Sequence, residues 1–424
     1  MNIWLVTVGE PLPIDAGGAR LLRAGLLAGL MTTAGHRVTW WTSTFDHWRK
    51  EHRFADDHRV EISNNYTLQL LHGCGYRSNV SIDRLRDHWQ IARKFRTQSR
   101  SVSERPDLIL CSFPPIELSV EVTRYGREFG VPTILDVRDL WPDIFVNLVP
   151  ATVRPLARLF MAPYFRMTRE AMRDCSAVFA INEPFRDWGL HYAGRAGTAL
   201  DRSFPMGYPA RPPDPAEQAK AREFWRGRGL ENGSQKFTAI FAGTVGRQFQ
   251  FEPIVEASKR LPDVQFVICG TGDRLDYVQS LAAGVPNVTF TGWVGAAEIW
   301  TLMRIAHVGL APYHDEPSFT HSLPNKSLEY LSAGLPVVSS LPGALAKLLD
   351  QSECGLTYPN LDADALVDAL RSLRSDPHRR QAMARNALAV YEENFRAEAI
   401  YGRMISHLET VRSAGATAFA TRSR

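Results

Sequence analysis

Cysteine is scarce in this 424-residue chain: Cys74, Cys111, Cys175, Cys269 and Cys354 lie far apart. They form no CxxC pair, so neither a zinc site nor a disulfide framework is expected, and a reduced cytosolic setting suits them. Long apolar runs are missing too. None reaches the roughly 18 residues of a membrane-spanning helix. Met1–Val8 reads as a strand and lacks the basic start, the long apolar stretch and the small-residue cleavage site of a secretory signal, so no signal is expected. Excess charge is small, +4 from 49 Lys+Arg against 45 Asp+Glu. That is too little to argue for nucleic acid as a partner. No short-period repeat is visible. What remains is globular: 45% hydrophobic and 22% charged residues, in a length that suits two domains of about 200 residues each. The charge is uneven. Residues 1–205 hold 26 basic against 22 acidic residues, and 206–424 hold 23 against 23. The whole excess therefore sits in the first half, mostly as arginine.

Short apolar runs alternate with helical stretches along the chain. Asn2–Val8, Arg37–Ser43, Leu68–Leu71, Leu108–Cys111, Thr133–Asp136 and Ala177–Ile181 read as strands. Ala19–Ala34, Ile82–Ser103, Ile116–Phe129 and Val153–Arg173 read as helices. This rhythm predicts βαβ units and a parallel sheet. Pro205–Pro215 holds five prolines in eleven residues. Such a run fits neither a helix nor an interior strand, so the interdomain linker is placed there. The alternation then restarts with Thr238–Ala242, Gln265–Cys269, Val288–Phe290, Val308–Ala311, Pro336–Ser339 and Gly355–Tyr358 as strands. From about Asp362 the chain reads as helical to near Arg412. The expected fold class is α/β with two Rossmann-like, doubly wound domains facing a central cleft. The expected divisions are 1–205, 206–395 and a C-terminal helix over 396–424 that crosses back to the first domain and ends in a frayed tail. Ligands of such sheets bind beyond the carboxyl ends of the strands.

The most specific segment runs from His321 through Ser322, Pro324, Asn325, Lys326, Glu329 and Tyr330 to Gly334-Leu-Pro336-Val-Val338. Asn325 and Lys326 stand where a helix should begin. Free backbone N–H groups and the positive end of the helix dipole favour a diphosphate there, and Lys326 adds a full charge. Glu329 lies one turn further on the same side, where a carboxylate can accept two ribose hydroxyls. The plainer alternative is a solvent-facing helix residue beside a lysine.

Those residues resemble the retaining glycosyltransferases of family 4, which have the GT-B fold. In that family an E-x7-E motif precedes a small-Gly-x-Pro-Val-Val stretch. Glu329 matches the second glutamate, which holds the nucleotide ribose, and His321 replaces the first. The S-x-P-x-K-x-x-E-Y version, starting at Ser322, is similar to a subgroup that builds bacterial surface polysaccharides, with aminodeoxy-sugar and colanic-acid type transferases. Phe241-Ala-Gly243-Thr-Val-Gly246-Arg247 resembles the family's Gly-rich loop, whose basic residues hold the donor diphosphate; an arginine fork matches phosphate oxygens. The family's following lysine is absent, with Phe251 and Glu252 in that stretch, and Lys326 is the replacement charge. Val267-Ile-Cys-Gly270-Thr-Gly272-Asp273 is similar to the turn beneath the nucleotide. Phe290-Thr-Gly292-Trp293-Val294 resembles the strand and loop whose backbone reads the base. Trp293 either packs over the base or fills a gap.

In the first domain Gly17 and Gly18 follow the first strand, where small residues allow close approach to a ligand. Arg20, inside the expected first helical turn, is either a phosphate or acceptor contact or a solvated arginine. Asp136-Val-Arg138-Asp139-Leu-Trp141-Pro142-Asp143 matches a D-x-x-D-L-W-P block of the subgroup. Asp139 is assigned to orient the acceptor hydroxyl or take its proton; Asp136 and Arg138 are either part of that site or a structural ion pair. Val153–Arg173 carries Arg154, Arg158, Arg166, Arg169 and Arg173 beside Leu156, Leu159, Phe160, Met161, Phe165 and Met167. Such a stretch either lies on an anionic membrane surface or covers the sheet with a solvated face.

The resemblance implies a metal-independent, retaining hexosyltransferase. It would move a sugar from a nucleotide-diphosphate sugar, UDP-sugar favoured, to a lipid-linked or saccharide acceptor in bacterial polysaccharide synthesis (O-antigen, capsule or exopolysaccharide). It implies catalytic roles for Asp139, Lys326, Arg247 and His321, and donor contacts at Glu329, Asn325, Gly243, Gly246, Gly270, Gly272, Trp293, Val294 and Ser322. Gly17, Gly18, Arg20 and Arg138 form the acceptor or phosphate loop. No metal and no cofactor are expected. The expected location is cytoplasmic and peripheral, on the inner face of the plasma membrane. Two alternatives stand beside it: a nucleotide-sugar 2-epimerase of the same fold, and a catalytically idle partner that binds a nucleotide sugar.

Overall fold

The computed structural model describes residues 1–15, 20–147, 149–231 and 236–422. The chain forms two compact units. One is Met1–Gly207 with Ala397–Arg424, and the other is Tyr208–Arg396. The proline-rich stretch from Pro205 thus spans the change of unit.

The first unit contains β1 (Asn2–Val6), β2 (Arg37–Ser43), a two-stranded ribbon of β3 (Phe45–Asp46) and β4 (Glu51–His52), β5 (His58–Ser63), β6 (Tyr66–Leu71), β7 (Leu108–Phe113), β8 (Thr133–Val137), β9 (Ala177–Ala180) and β10 (Arg202–Ser203). Its main sheet has the order β10-β9-β8-β7-β1-β2-β6-β5. All neighbours are parallel except β5, which pairs antiparallel with β6 at the edge. Both faces are covered, which is why the strands read as unbroken apolar runs. In β1, Trp4 and Val6 enter one core with Trp41, Phe95 and Tyr125. Ile3 and Leu5 enter the other with Leu27, Met31, Tyr401 and Met404. The helix Ala397–Arg422 therefore completes the core of the first unit.

Two helices differ from expectation. The first spans Arg23–Thr33, with Leu22 as an N-cap that makes no side-chain bond. Instead the amide of Ala24 donates to Glu10 Oε2 at 2.9 Å. Arg20 therefore precedes the helix and is exposed; it is not in the first turn. The stretch expected as one helix over Val153–Arg173 is two, Arg154–Phe160 and Ala162–Asp174, separated at Met161. Pro163 is the cause. It has no N–H for a bond to the preceding turn, so it is accommodated only where a helix starts.

The second unit contains β11 (Phe237–Ala242), β12 (Val264–Cys269), β13 (Val288–Gly292), β14 (Val308–Ala311), β15 (Val337–Ser339) and β16 (Gly355–Thr357). The six strands are parallel, in the order β13-β12-β11-β14-β15-β16. Counted within the unit this is 3-2-1-4-5-6, the dinucleotide-fold order, and its switch point lies between β11 and β14. Each unit is thus a doubly wound α/β layer structure.

Candidate functional site

The second unit gathers most of the predicted donor residues at its switch point. β11 ends at Ala242, and Gly243 follows with φ +142°. A Cβ on Gly243 would lie 2.5 Å from Lys326 Nζ, so only glycine leaves room for the ammonium. Gly270, at the end of β12 with φ +132°, is equally constrained, because its Cβ would collide with the carbonyl oxygen of Gly243. The two loops are tied together. The amide of Gly243 donates to Cys269 O (2.9 Å), that of Val245 to Thr271 O (2.9 Å) and that of Arg274 to Val245 O (3.0 Å). Gly246 and Gly272 belong to these same loops. Arg247 spans them from outside, its Nε 3.0 Å from Asp273 Oδ2, with a side chain 88% exposed.

Lys326 comes from the helix Asn325–Ser332, whose N-cap, Pro324, makes no side-chain bond. Its start therefore presents backbone N–H groups uncapped by any side chain. Asn325 is exposed there, while Lys326 is buried. The Lys326 ammonium donates to the carbonyl of Ala242 and sits 3.9 Å from the centre of the Phe241 ring. Burial pushes its pKa down to about 7, opposed by the charges of Glu329 and Cys269. A lysine in this state is poised to take up a proton when an anion arrives. Glu329 is half-buried one turn on, and its Oε1 accepts from the Tyr208 hydroxyl at 2.8 Å. Tyr330 braces the switch point from below. Its hydroxyl accepts from the amide of Ala242 at 3.1 Å, and its ring leaves no room for a Cβ at Gly309.

The remaining donor-side positions are more scattered. His321 is exposed at the end of the short helix Pro317–Thr320, with Nδ1 3.3 Å from Thr320 Oγ1. The Ser322 amide donates to Phe319 O at 3.2 Å. Trp293 follows β13 with 77% of its surface exposed, so it fills no interior gap of this unit. Val294 is buried. An Asp-x-Asp triplet does occur, Asp362-Ala363-Asp364. Asp362 caps a helix through the Ala365 amide (2.9 Å), and Asp364 pairs with Arg260. Among the described residues no group of three or more His, Cys, Asp or Glu is placed to hold a metal.

In the first unit, Gly17 and Gly18 lie outside the described residues. The first unit also carries a buried charge network, of which the sequence offered only the Asp136–Arg138 pair. Arg23 donates from Nε and Nη2 to the two carboxylate oxygens of Asp136 (2.8 and 2.9 Å) and from Nη1 to Phe204 O (2.9 Å). Arg138 donates to Asp136 (2.9 Å) and pairs with Glu10. Burial raises the Asp136 pKa, but the Arg23 and Arg138 charges outweigh it and hold the carboxyl below its usual range. Asp136 and Arg138 are thus an ion pair, part of a four-residue cluster at the carboxyl ends of β1 and β8. Asp139 stands beside it. Its Oδ1 accepts from the Leu140 amide (2.8 Å) and its Oδ2 from Trp141 Nε1 (3.1 Å), while burial lifts its pKa above the ordinary carboxylate value. Behind Trp141 lie His88 and Glu117, 3.8 Å apart. Burial pushes the first down to about 3 and the second up to about 7.

Sequence reasoning missed Tyr208, Arg23, Glu10, His88 and Glu117. Tyr208 sat inside the proline-rich run. Arg23 and Glu10 are 113 and 126 positions from Asp136, and only the sheet order brings them together. Tyr330 stood next to Glu329 and was legible as part of the motif.

Residues 237–376 match the family described as Glycosyl transferases group 1, a span that contains every donor-side position named above. Over 268 residues the chain is 25% identical to an alpha-D-kanosaminyltransferase of Streptomyces kanamyceticus, covering 62% of this chain and 66% of that enzyme, just under two thirds of its length. The fold superposes on sucrose-phosphate synthase from Thermosynechococcus elongatus with a TM-score of 0.71 at 19% identity, covering 97% and 99% of the two chains. It superposes on Anabaena Alr3699/HepE, solved in complex with UDP, with a TM-score of 0.64 at 16% identity, covering 97% and 100%. The fold is therefore that of the GT-B proteins, and its second unit is similar to the group 1 glycosyl transferases over residues 237–376.

Proposed function

We propose that the protein is a retaining glycosyltransferase. It takes its sugar from a nucleoside diphosphate sugar, preferably a UDP-sugar, and passes it to a lipid-linked or saccharide acceptor in bacterial surface-polysaccharide synthesis, at the inner face of the plasma membrane. The carrying observation is Lys326, buried at the switch point between an uncapped helix start and Gly243, with Glu329 one turn away. The UDP complex of the HepE structure supports the choice of base, and the kanosaminyltransferase relative supports an aminodeoxy-sugar type of donor.

In this reading the bond between the anomeric carbon and the diphosphate oxygen breaks, and both electrons leave with the diphosphate. Lys326, Arg247 and the N–H groups at Asn325 and Lys326 stabilise that growing charge, so the reaction uses no metal and no cofactor. Glu329 holds the ribose hydroxyls. The acceptor oxygen bonds to the anomeric carbon on the face the diphosphate leaves, and its proton passes to Asp139 or to the departing phosphate. A carboxyl with a raised pKa is the better base for that step. His321, exposed just before that helix, is assigned to the sugar in place of the family's glutamate. Incubating the protein with UDP-sugars and a panel of lipid-linked and free saccharide acceptors, with and without EDTA, tests the reading. The expected product keeps the donor's anomeric configuration by NMR, at an EDTA-insensitive rate. An inverted product contradicts retention, and an epimerised sugar released without acceptor contradicts transfer.

A further inference from the structure

We infer that the helix Arg154–Phe160 and the depression beside it form a docking surface for an anionic lipid bilayer, with a seat for a lipid phosphate. This deepens the proposed function and rests on its membrane-side acceptor. No residue of this helix is buried. Leu156, Leu159 and Phe160 are 68%, 72% and 84% exposed. Their spacing of three and four places them on one face, and Val153, also exposed, extends the stripe by one turn. A globular helix ordinarily turns such a stripe toward the core; this one turns it to solvent. Among the described residues no helix is long and apolar enough to cross a membrane, so contact through this stripe would be interfacial.

The polar half of the surface is next to it. A depression of about 400 Å³ is lined by Arg158, Arg169, His191, Trp188, Tyr192 and Asp143. Asp143 Oδ2 is already engaged, accepting from Trp188 Nε1 (3.0 Å) and the Tyr192 hydroxyl (2.7 Å). The nearby acids are engaged as well. Glu170 pairs with Arg124 (2.7 Å), and Asp174 with Arg127 (2.7 Å) and Arg173 (2.9 Å). Arg158 and Arg169 form no ion pair among the described residues. Two guanidinium groups converge on a seat floored by aromatic rings, and their forks suit phosphate oxygens.

The occupant follows from having both features together. A soluble phosphate would use the arginines and leave the stripe in water. A second copy of the chain would set arginine against arginine across a two-fold contact. A bilayer with phosphate headgroups satisfies the arginines and the stripe at once.

The test is sedimentation of the full chain with phosphatidylcholine vesicles and with vesicles containing phosphatidylglycerol. The variants are L156S/L159S/F160S and R158A/R169A. Wild type should bind the anionic vesicles, and each variant should lose at least tenfold in partition coefficient. The arginine variant should also lose most of the salt dependence. Nucleotide-induced thermal stabilisation should be unchanged in both variants, because they leave the second unit intact. Equal binding by wild type and variants overturns the inference, as does no vesicle binding by wild type. So does thermal stabilisation by inorganic phosphate that R158A/R169A abolishes in a protein that ignores vesicles. A wild-type dimer that the serine variant converts to monomer also overturns it. A protein that binds vesicles as expected but no nucleotide would instead count against the proposed function alone.

Discussion

Gly243 and Lys326 share one small volume: a Cβ on the glycine would lie 2.5 Å from the lysine Nζ. Gly243→Ala should therefore displace the ammonium and strain a backbone held at φ +142°, at a cost to stability of about 1–3 kcal/mol. Nucleotide affinity should fall at least tenfold, roughly 1.4 kcal/mol. Calorimetric titration checks this, and an affinity within twofold of wild type counts against Lys326 as the diphosphate contact.

Lys326 should also give the site a pH dependence. Its pKa, lowered by burial, is about 7 in the folded unit, against the ordinary 10.5 in the unfolded chain. Between these values the unfolded chain binds the extra proton, so this group's contribution to stability rises with pH across the window. Lys326→Met removes that slope. From pH 7 to about pH 9 the wild type should gain roughly 2 kcal/mol relative to the variant in urea unfolding. Nucleotide binding has the opposite sign. It requires the charged amine and should weaken above pH 7 in wild type, while the variant shows a weak, flat profile.

The Arg23–Asp136 pair is fully buried, so removing one partner leaves an uncompensated charge. Arg23→Met should destabilise the first unit by about 3–5 kcal/mol while leaving nucleotide binding by the second unit close to wild type. Asp136 has a depressed folded pKa. Its contribution is present above the ordinary carboxylate range and is lost as pH falls through the folded value. The gap between wild type and variant should close on acidification, and a gap constant from neutral to strongly acidic pH contradicts the assignment.

Tyr208→Phe deletes one hydroxyl, the donor to Glu329 Oε1 at 2.8 Å. Loosening that carboxylate should weaken nucleotide binding by about 0.5–1.5 kcal/mol with little change in Tm. The check is whether Glu329→Ala and the double variant bind equally. If Tyr208 acts through Glu329, adding Tyr208→Phe to Glu329→Ala costs nothing further.

Much of this was legible in the sequence because periodicity and glycine placement are local. The runs at Asn2–Val8 and Thr238–Ala242 announce strands, and Gly243, Gly270, Asn325, Lys326 and Glu329 lie on turns and a helix start that local rules identify. The break at Met161 is legible from Pro163, although the arginine spacing alone predicts one helix. The Arg23–Asp136–Arg138–Glu10 cluster was not readable. It depends on β1, β8 and the first helix meeting at one end of a sheet whose order is a long-range property. Tyr208 was hidden for a related reason, since a proline-rich linker signals no structure, yet within it stands the hydroxyl that donates to Glu329.

The most direct measurement is thermal stabilisation by UDP, GDP, dTDP and ADP on wild type, Glu329→Ala and Lys326→Met. A nucleotide at about 100 times its dissociation constant should add roughly 2.7 kcal/mol. The account predicts a shift with UDP, larger than with the other three, that is reduced in both variants. No shift with any nucleotide, or a UDP shift equal in all three proteins, would contradict a diphosphate site built on Lys326 and Glu329.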